Sequence, residues 1–208
     1  AITPKAEIAA SSTFIARLFW LGFSAAGVAL LLSITTEITT NLVPMPLLWV
    51  VPLALYLFTF IWCFSTDAKY SRGRWLALFS ITILPTLWLP AIQPIVGVWP
   101  GVFISCLALF SGCMICHGEL AATKPHTNDL SIYYVYLAAG GVAGSVFVNF
   151  AAPLLFSRFW ELATALFCIL TLSGLVTIRE RVQDARTARS PEHLPRVSRQ
   201  VAPLGIGA

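Results

Sequence analysis

The sequence predicts an all-α integral membrane protein of about six transmembrane helices with both termini cytoplasmic, and three observations carry that prediction. Hydrophobic residues make up 58% of the chain and charged residues only 11%, with a mean hydropathy of +0.82. A soluble domain of 208 residues could not bury so much apolar surface. The apolar residues fall in six continuous runs rather than in alternation. In a bilayer the backbone must satisfy its own polar groups, so such runs predict helices and not a barrel. The connectors alternate in charge: twelve of the thirteen Lys and Arg residues fall on one side of a six-span threading, and only Arg158 on the other. Short Lys/Arg-rich loops resist translocation, which makes the rich side cytoplasmic.

Residues 1–12 read as a polar lead-in, 13–178 as the six-helix transmembrane domain, and 179–208 as a basic cytoplasmic tail or linker. The first span, about 13–34, carries Arg17 and Trp20 at its cytoplasmic end and exits into a Thr-rich stretch around Glu37. The second ends near residue 64; Pro46 suits its first turn, and Pro52 is expected inside it as a kink. Asp67, Lys69, Arg72 and Arg74 make a cytoplasmic loop. The third span, about 75–89, holds Pro85 and runs into Pro90, Pro94 and Pro100. It is expected to be proline-broken, because about 20 residues are needed to cross a bilayer. The fourth runs over about 98–117 and the fifth over about 130–156; Ser157-Arg158 then turns outside the membrane into the sixth, 160–178. The chain opens Ala-Ile-Thr-Pro with neither an initiator Met nor a signal-peptide pattern, which implies sequence upstream.

Cys113-Met-Ile-Cys116-His117 matches the spacing of covalent haem attachment, in which two thiols add to the vinyls and the imidazole ligates iron. Two points oppose it: the charge rule puts His117 at a cytoplasmic helix end, the wrong side for that chemistry, and small thiols inside a span serve as packing. The five cysteines all lie in or at the ends of apolar runs, so no disulfide framework is expected. His117 and Glu119 at the same helix end suggest a proton-handling pair, a metal contact or a polar cap, or merely a helix end in contact with water. One His and one Glu are too few for zinc. Glu37 with Thr36, Thr40 and Asn41 forms a second polar cluster, either a cap on the outer end of the bundle or a ligand site. Gly140, Gly141, Gly144 and Ser145 stand at small-xxx-small spacing, which lets helix backbones approach closely in lipid. A nucleotide loop fails there, because no strand precedes the glycines and no ribose-binding acid follows.

Four segments in this order resemble bacterial membrane proteins of the spermidine-synthase-like family. They are Leu-Trp-Val-Val-Pro-Leu-Ala-Leu-Tyr-Leu at 48–57, Met-Ile-Cys-His-Gly-Glu-Leu at 114–120, Leu-Ala-Ala-Gly-Gly-Val-Ala-Gly at 137–144, and Ala-Pro-Leu-Leu-Phe at 152–156 followed by Trp160-Glu161-Leu162. The resemblance implies a membrane block that in relatives follows other helices and often precedes an aminopropyltransferase-like domain. This chain carries neither, nor the Gly-rich donor loop and amine-binding acids such an enzyme needs, so no catalytic residue is carried over. The expectation is a non-catalytic anchor, scaffold or accessory subunit in a bacterial inner membrane, with lipid and other membrane subunits or further portions of a longer protein as partners, no nucleic acid and no cofactor. The alternatives are half of a transporter for a small organic cation such as a polyamine, and a haem-carrying electron-transfer subunit.

Overall fold

The computed structural model describes residues 4–42, 47–65, 70–125, 129–155 and 160–189. Pro46, Asp67, Lys69, the Ser157-Arg158 turn and the tail beyond residue 189 lie outside the described residues. The elements are α1 (Pro4–Thr36), continued by a π-helical turn (Glu37–Leu42); α2 (Val50–Ser65); α3 (Arg72–Val96); α4 (Val98–Ala122); α5 (Leu130–Val146), continued by a second π-helical turn (Phe147–Ala151) and α6 (Ala152–Leu155); and α7 (Trp160–Arg189). No strand occurs among the described residues. Among the described residues, five helical stretches are long and apolar enough to cross a membrane: Phe14–Thr40, Arg72–Ile92, Val98–Ala122, Leu130–Leu155 and Trp160–Thr187. The sixth apolar run forms a helix of 16 residues, about 24 Å long against a hydrocarbon core of about 30 Å.

Several boundaries differ from expectation for identifiable reasons. Helix α1 begins at Pro4, within the stretch expected as a lead-in. Helix α2 begins at Val50, so Pro52 falls in its first turn, where the missing N–H has no intrahelical partner to lose, and the expected mid-span kink has no basis. The prolines of α3 do not interrupt it: the helix is continuous through Pro85, Pro90 and Pro94. Each proline deprives only the carbonyl four residues back (Ile81, Thr86 and Pro90) of its amide partner, and the remaining ladder carries the helix across. Helix α3 ends at Gly97, whose φ of 85° and ψ of 176° lie in a region essentially closed to side-chain-bearing residues. That one residue links α3 to α4.

Helix α4 is the centre of the bundle. It is apolar all round, as a membrane span can be, and residues 111–120 are all buried. Small residues on α4 permit the coverage. At Gly112 a Cβ would stand 2.5 Å from the Leu30 side chain of α1 and 2.8 Å from that of Phe79 of α3. The surface away from this centre is apolar, with Leu154, Ile95 and Ile81 more than two-thirds exposed, as side chains that face lipid would be.

The chain divides into two units, Ala1–Gly174 and Leu175–Ala208. In the first, Leu172 of α7 packs on Gly22 and Ile169 on Gly112. In the second, the described residues continue as helix to Arg189 and carry Arg179, Arg181 and Arg186 among largely exposed positions.

Candidate functional site

Several buried polar groups, among them Thr59, His117 and Glu119, lie where the end of α4 meets α1, α2, α3 and α5. Thr59 of α2 lies 3.0 Å from Nδ1 of His117 and donates its hydroxyl to the Tyr56 carbonyl at 2.8 Å. The imidazole is 2% exposed and held edge-on by two rings, with Tyr56 at 4.7 Å and Phe60 at 5.3 Å between centroids. Two residues on, Glu119 is also buried, but its carboxylate takes Nε of Arg72 at 2.5 Å and Nη2 at 2.7 Å. Positions two apart on a helix do not face each other. The expected His117–Glu119 pair is therefore absent; α4 turns the imidazole to α2 and the carboxylate to α3.

Arg72 opens α3, so the partial positive charge of that helix end adds to the guanidinium beside Glu119. Tyr70 lies over Gly118, and its ring occupies the space a Cβ would need. The Tyr70 hydroxyl is buried without a hydrogen-bond partner of good geometry among the described residues. Burial, and then the negative carboxylate of Glu119, push it well above the ordinary tyrosine range.

On the α1 side, Trp20 donates to Thr123 Oγ1 at 3.2 Å and meets Tyr133 edge-on at 5.1 Å. Tyr133 donates to the Leu120 carbonyl at 2.8 Å, and Ser24 to that of Leu137 at 2.6 Å. Leu120 lies in the last turn of α4 and Leu137 within α5, and these bonds tie α1, α4 and α5 to one another. A cavity of about 290 Å³ opens beside His117, bounded by Ser24 and Val28 of α1, Tyr56 and Phe60 of α2, and Tyr134 of α5.

Gly140 and Gly144 face α1. A Cβ at Gly140 would stand 2.5 Å from the Leu21 carbonyl oxygen, and one at Gly144 would run into the carbonyl of Ala25. Gly141 has ordinary room, with Val28 at 3.6 Å from its notional Cβ, and Ser145 donates to the Gly141 carbonyl at 3.0 Å. The α1–α5 contact is thus backbone on backbone at two positions.

Cys113 and Cys116 are wholly buried and free. Cys116 faces Gly27 of α1, its Sγ 3.9 Å from where a Cβ would be. Glu37 is buried as well, in the π-helical turn ten residues beyond Gly27, about 15 Å along the axis. The structure therefore does not bring Glu37, Thr36 and Thr40 to His117 and Glu119. Thr40 donates to the Thr36 carbonyl at 2.5 Å and Thr39 to that of Thr35 at 2.8 Å, bonds that spend these hydroxyls on their own helix. The side chain of Asn41 lies outside the described residues. Among the described residues no three His, Cys, Asp or Glu side chains are grouped to hold a metal ion.

Thr59, Arg72 and Tyr70 were not singled out as partners of these groups by the sequence. Their separations from α4, 58 residues for Thr59–His117 and 47 for Arg72–Glu119, leave no local signal. No protein-family model, curated protein or solved structure matches the chain.

Proposed function

We propose that the chain is a non-catalytic helical membrane module, an anchor, scaffold or accessory subunit of a larger membrane assembly. In this reading it sits in a bacterial inner membrane and is related to the membrane block of spermidine-synthase-like proteins. The observation that carries the proposal is how several of the buried ionic and polar groups are used. Glu119 goes to Arg72, the Trp20 indole to Thr123, and the Tyr133 and Ser24 hydroxyls to the carbonyls of Leu120 and Leu137 on neighbouring helices. Each of these bonds closes a helix contact, and none is presented as a reacting group.

The six-span threading with cytoplasmic ends is part of the proposal, and the helix directions support it. Trp20 meets Tyr133 and Ala25 meets Gly144, so α1 and α5 run the same way. Trp20 meets Thr123 and Leu30 meets Gly112, so α4 runs opposite to α1. Arg72 meets Glu119 and Phe79 meets Gly112, so α4 also runs opposite to α3. Alternate threading requires these three relations. In this reading Cys113 and Cys116 are packing residues and carry no haem; an intact mass heavier by one haem would overturn that.

Purification in mild detergent is expected to bring down partner subunits in stoichiometric amount. A chain that purifies alone and moves a small organic cation across proteoliposome membranes would overturn the scaffold reading in favour of transport.

A further inference from the structure

The cavity beside His117 has a polarity that the packing does not use. Thr59 has one hydroxyl hydrogen, and the 2.8 Å contact to the Tyr56 carbonyl takes it. The 3.0 Å contact to His117 is then assigned as Nδ1–H donating to Thr59 Oγ1. A neutral imidazole protonated at Nδ1 carries its lone pair on Nε2, and Nε2 makes no hydrogen bond among the described residues. The ring is buried yet lines the cavity. The hydroxyl of Ser24, on the opposite wall, is already given to the Leu137 carbonyl. The cavity thus offers the acceptor nitrogen of His117 on a wall that is otherwise mainly aromatic and aliphatic, from Tyr56, Phe60, Tyr134 and Val28, the two tyrosines also carrying hydroxyls.

Its position selects the occupant further. Helix α5 packs mainly on α1 and α2 mainly on α4, so the cavity is a crevice between α2 and α5, open where Tyr134 and Ala138 are exposed. His117 lies five residues inside the Val98–Ala122 span and Tyr134 four inside Leu130–Leu155. That is about 6–8 Å from the helix ends, the depth of a headgroup–acyl boundary. No carboxylate lines the crevice, so an ammonium would be buried without a counter-charge, at a heavy desolvation cost. A neutral ring with a hydroxyl donor meets every condition. Its face packs on aromatic side chains, its O–H satisfies Nε2, and an apolar tail leaves between α2 and α5 into lipid.

We infer that the crevice between α2 and α5 is a binding site for the phenolic head group of a neutral, membrane-dissolved molecule, with Nε2 of His117 accepting its hydroxyl hydrogen. The inference goes beyond the scaffold proposal and does not depend on it.

The test uses the full chain in lipid nanodiscs with ring-¹⁵N histidine, the His117 signals being assigned by their loss in His117→Phe. Three probes are added: 4-decylphenol, 4-decylanisole (the same molecule with its donor capped) and p-cresol (the head without the tail). Before addition, His117 should show an unprotonated Nε2. With 4-decylphenol that signal should move saturably; with the anisole it should stay, and p-cresol should need at least tenfold more. Ala138→Phe, which fills the crevice mouth, should abolish the response while leaving the unliganded spectrum intact. A protonated Nε2 in the free protein, no response to the phenol, or an equal response to phenol and anisole would each overturn the site in wild-type protein alone. Equal potency of p-cresol and 4-decylphenol would overturn the membrane-dissolved source, and an undiminished response in Ala138→Phe would overturn the location.

Discussion

The guanidinium of Arg72 grips both carboxylate oxygens of Glu119, Nε to Oε1 at 2.5 Å and Nη2 to Oε2 at 2.7 Å. The fork is bidentate, the strongest geometry such a pair has, and the partners are unequally placed: the Glu119 side chain is 2% exposed and that of Arg72 21%. Arg72→Leu would strand a buried carboxylate and should cost about 3–5 kcal/mol. Glu119→Leu leaves a guanidinium that can turn to water and should cost less. The double variant should be more stable than Arg72→Leu alone, because it strands nothing. Thermal unfolding in detergent gives the order; a double variant no better than Arg72→Leu would show that the pair's environment, rather than its charge balance, matters.

The α1–α5 contact gives a graded test on neighbouring glycines. Close approach must supply attraction that the hydrophobic effect does not supply between helices in lipid. Gly144→Leu should cost on the order of 1–3 kcal/mol or more by overpacking, since its first carbon already meets the Ala25 carbonyl. Gly144→Ala should also destabilise, whereas Gly141→Ala, with its nearest neighbour at 3.6 Å, should be close to neutral. Val146→Leu, at a position 49% exposed, should be silent. Equal melting of the Gly144 and Gly141 alanine variants would remove the packing role.

What could be read in advance was what depends on hydropathy and spacing along one helix. The apolar runs announced the helices, and small-xxx-small spacing pointed to Gly140 and Gly144. The pairings that organise the polar end were not legible, because Thr59, Tyr70 and Arg72 reach α4 from other helices and their approaches. Nor was the centrality of α4. A soluble helix shows its buried face as an apolar stripe, but in lipid both faces are apolar, and Gly112 and Gly118 differ from lipid-facing residues only in size. The two π-helical turns have no composition cue. The prolines of α3 misled for the opposite reason: each removes one hydrogen bond, which a long helix survives.

Orientation can be checked on α3 alone. In a background with the five cysteines replaced, Gly73→Cys, exposed with nothing within 4 Å of its notional Cβ, is expected to react with a membrane-impermeant maleimide only after permeabilisation of right-side-out vesicles. Ile95→Cys, at a site 86% exposed near the other end, should react in intact vesicles. The reverse pattern would invert the threading, and identical behaviour at both positions would mean that α3 does not cross.

The alkaline limb of stability should depend on Tyr70. Its hydroxyl is held above the ordinary value of 10.0, first by burial and then by the Glu119 carboxylate, with Arg72 opposing more weakly. The fold therefore favours the neutral phenol. Below about pH 10 the hydroxyl is neutral in folded and unfolded chains alike, and the contribution is complete. Above it the unfolded chain releases the proton while the folded chain retains it, so stability falls as pH climbs toward the raised folded value. Tyr70→Phe keeps the ring over Gly118 and removes this titration. The melting temperature of wild-type protein should therefore drop faster than that of Tyr70→Phe between about pH 9 and 11, every other titrating group being common to both. Parallel curves over that interval would mean that the Tyr70 hydroxyl reaches solvent and that Glu119 does not feel it.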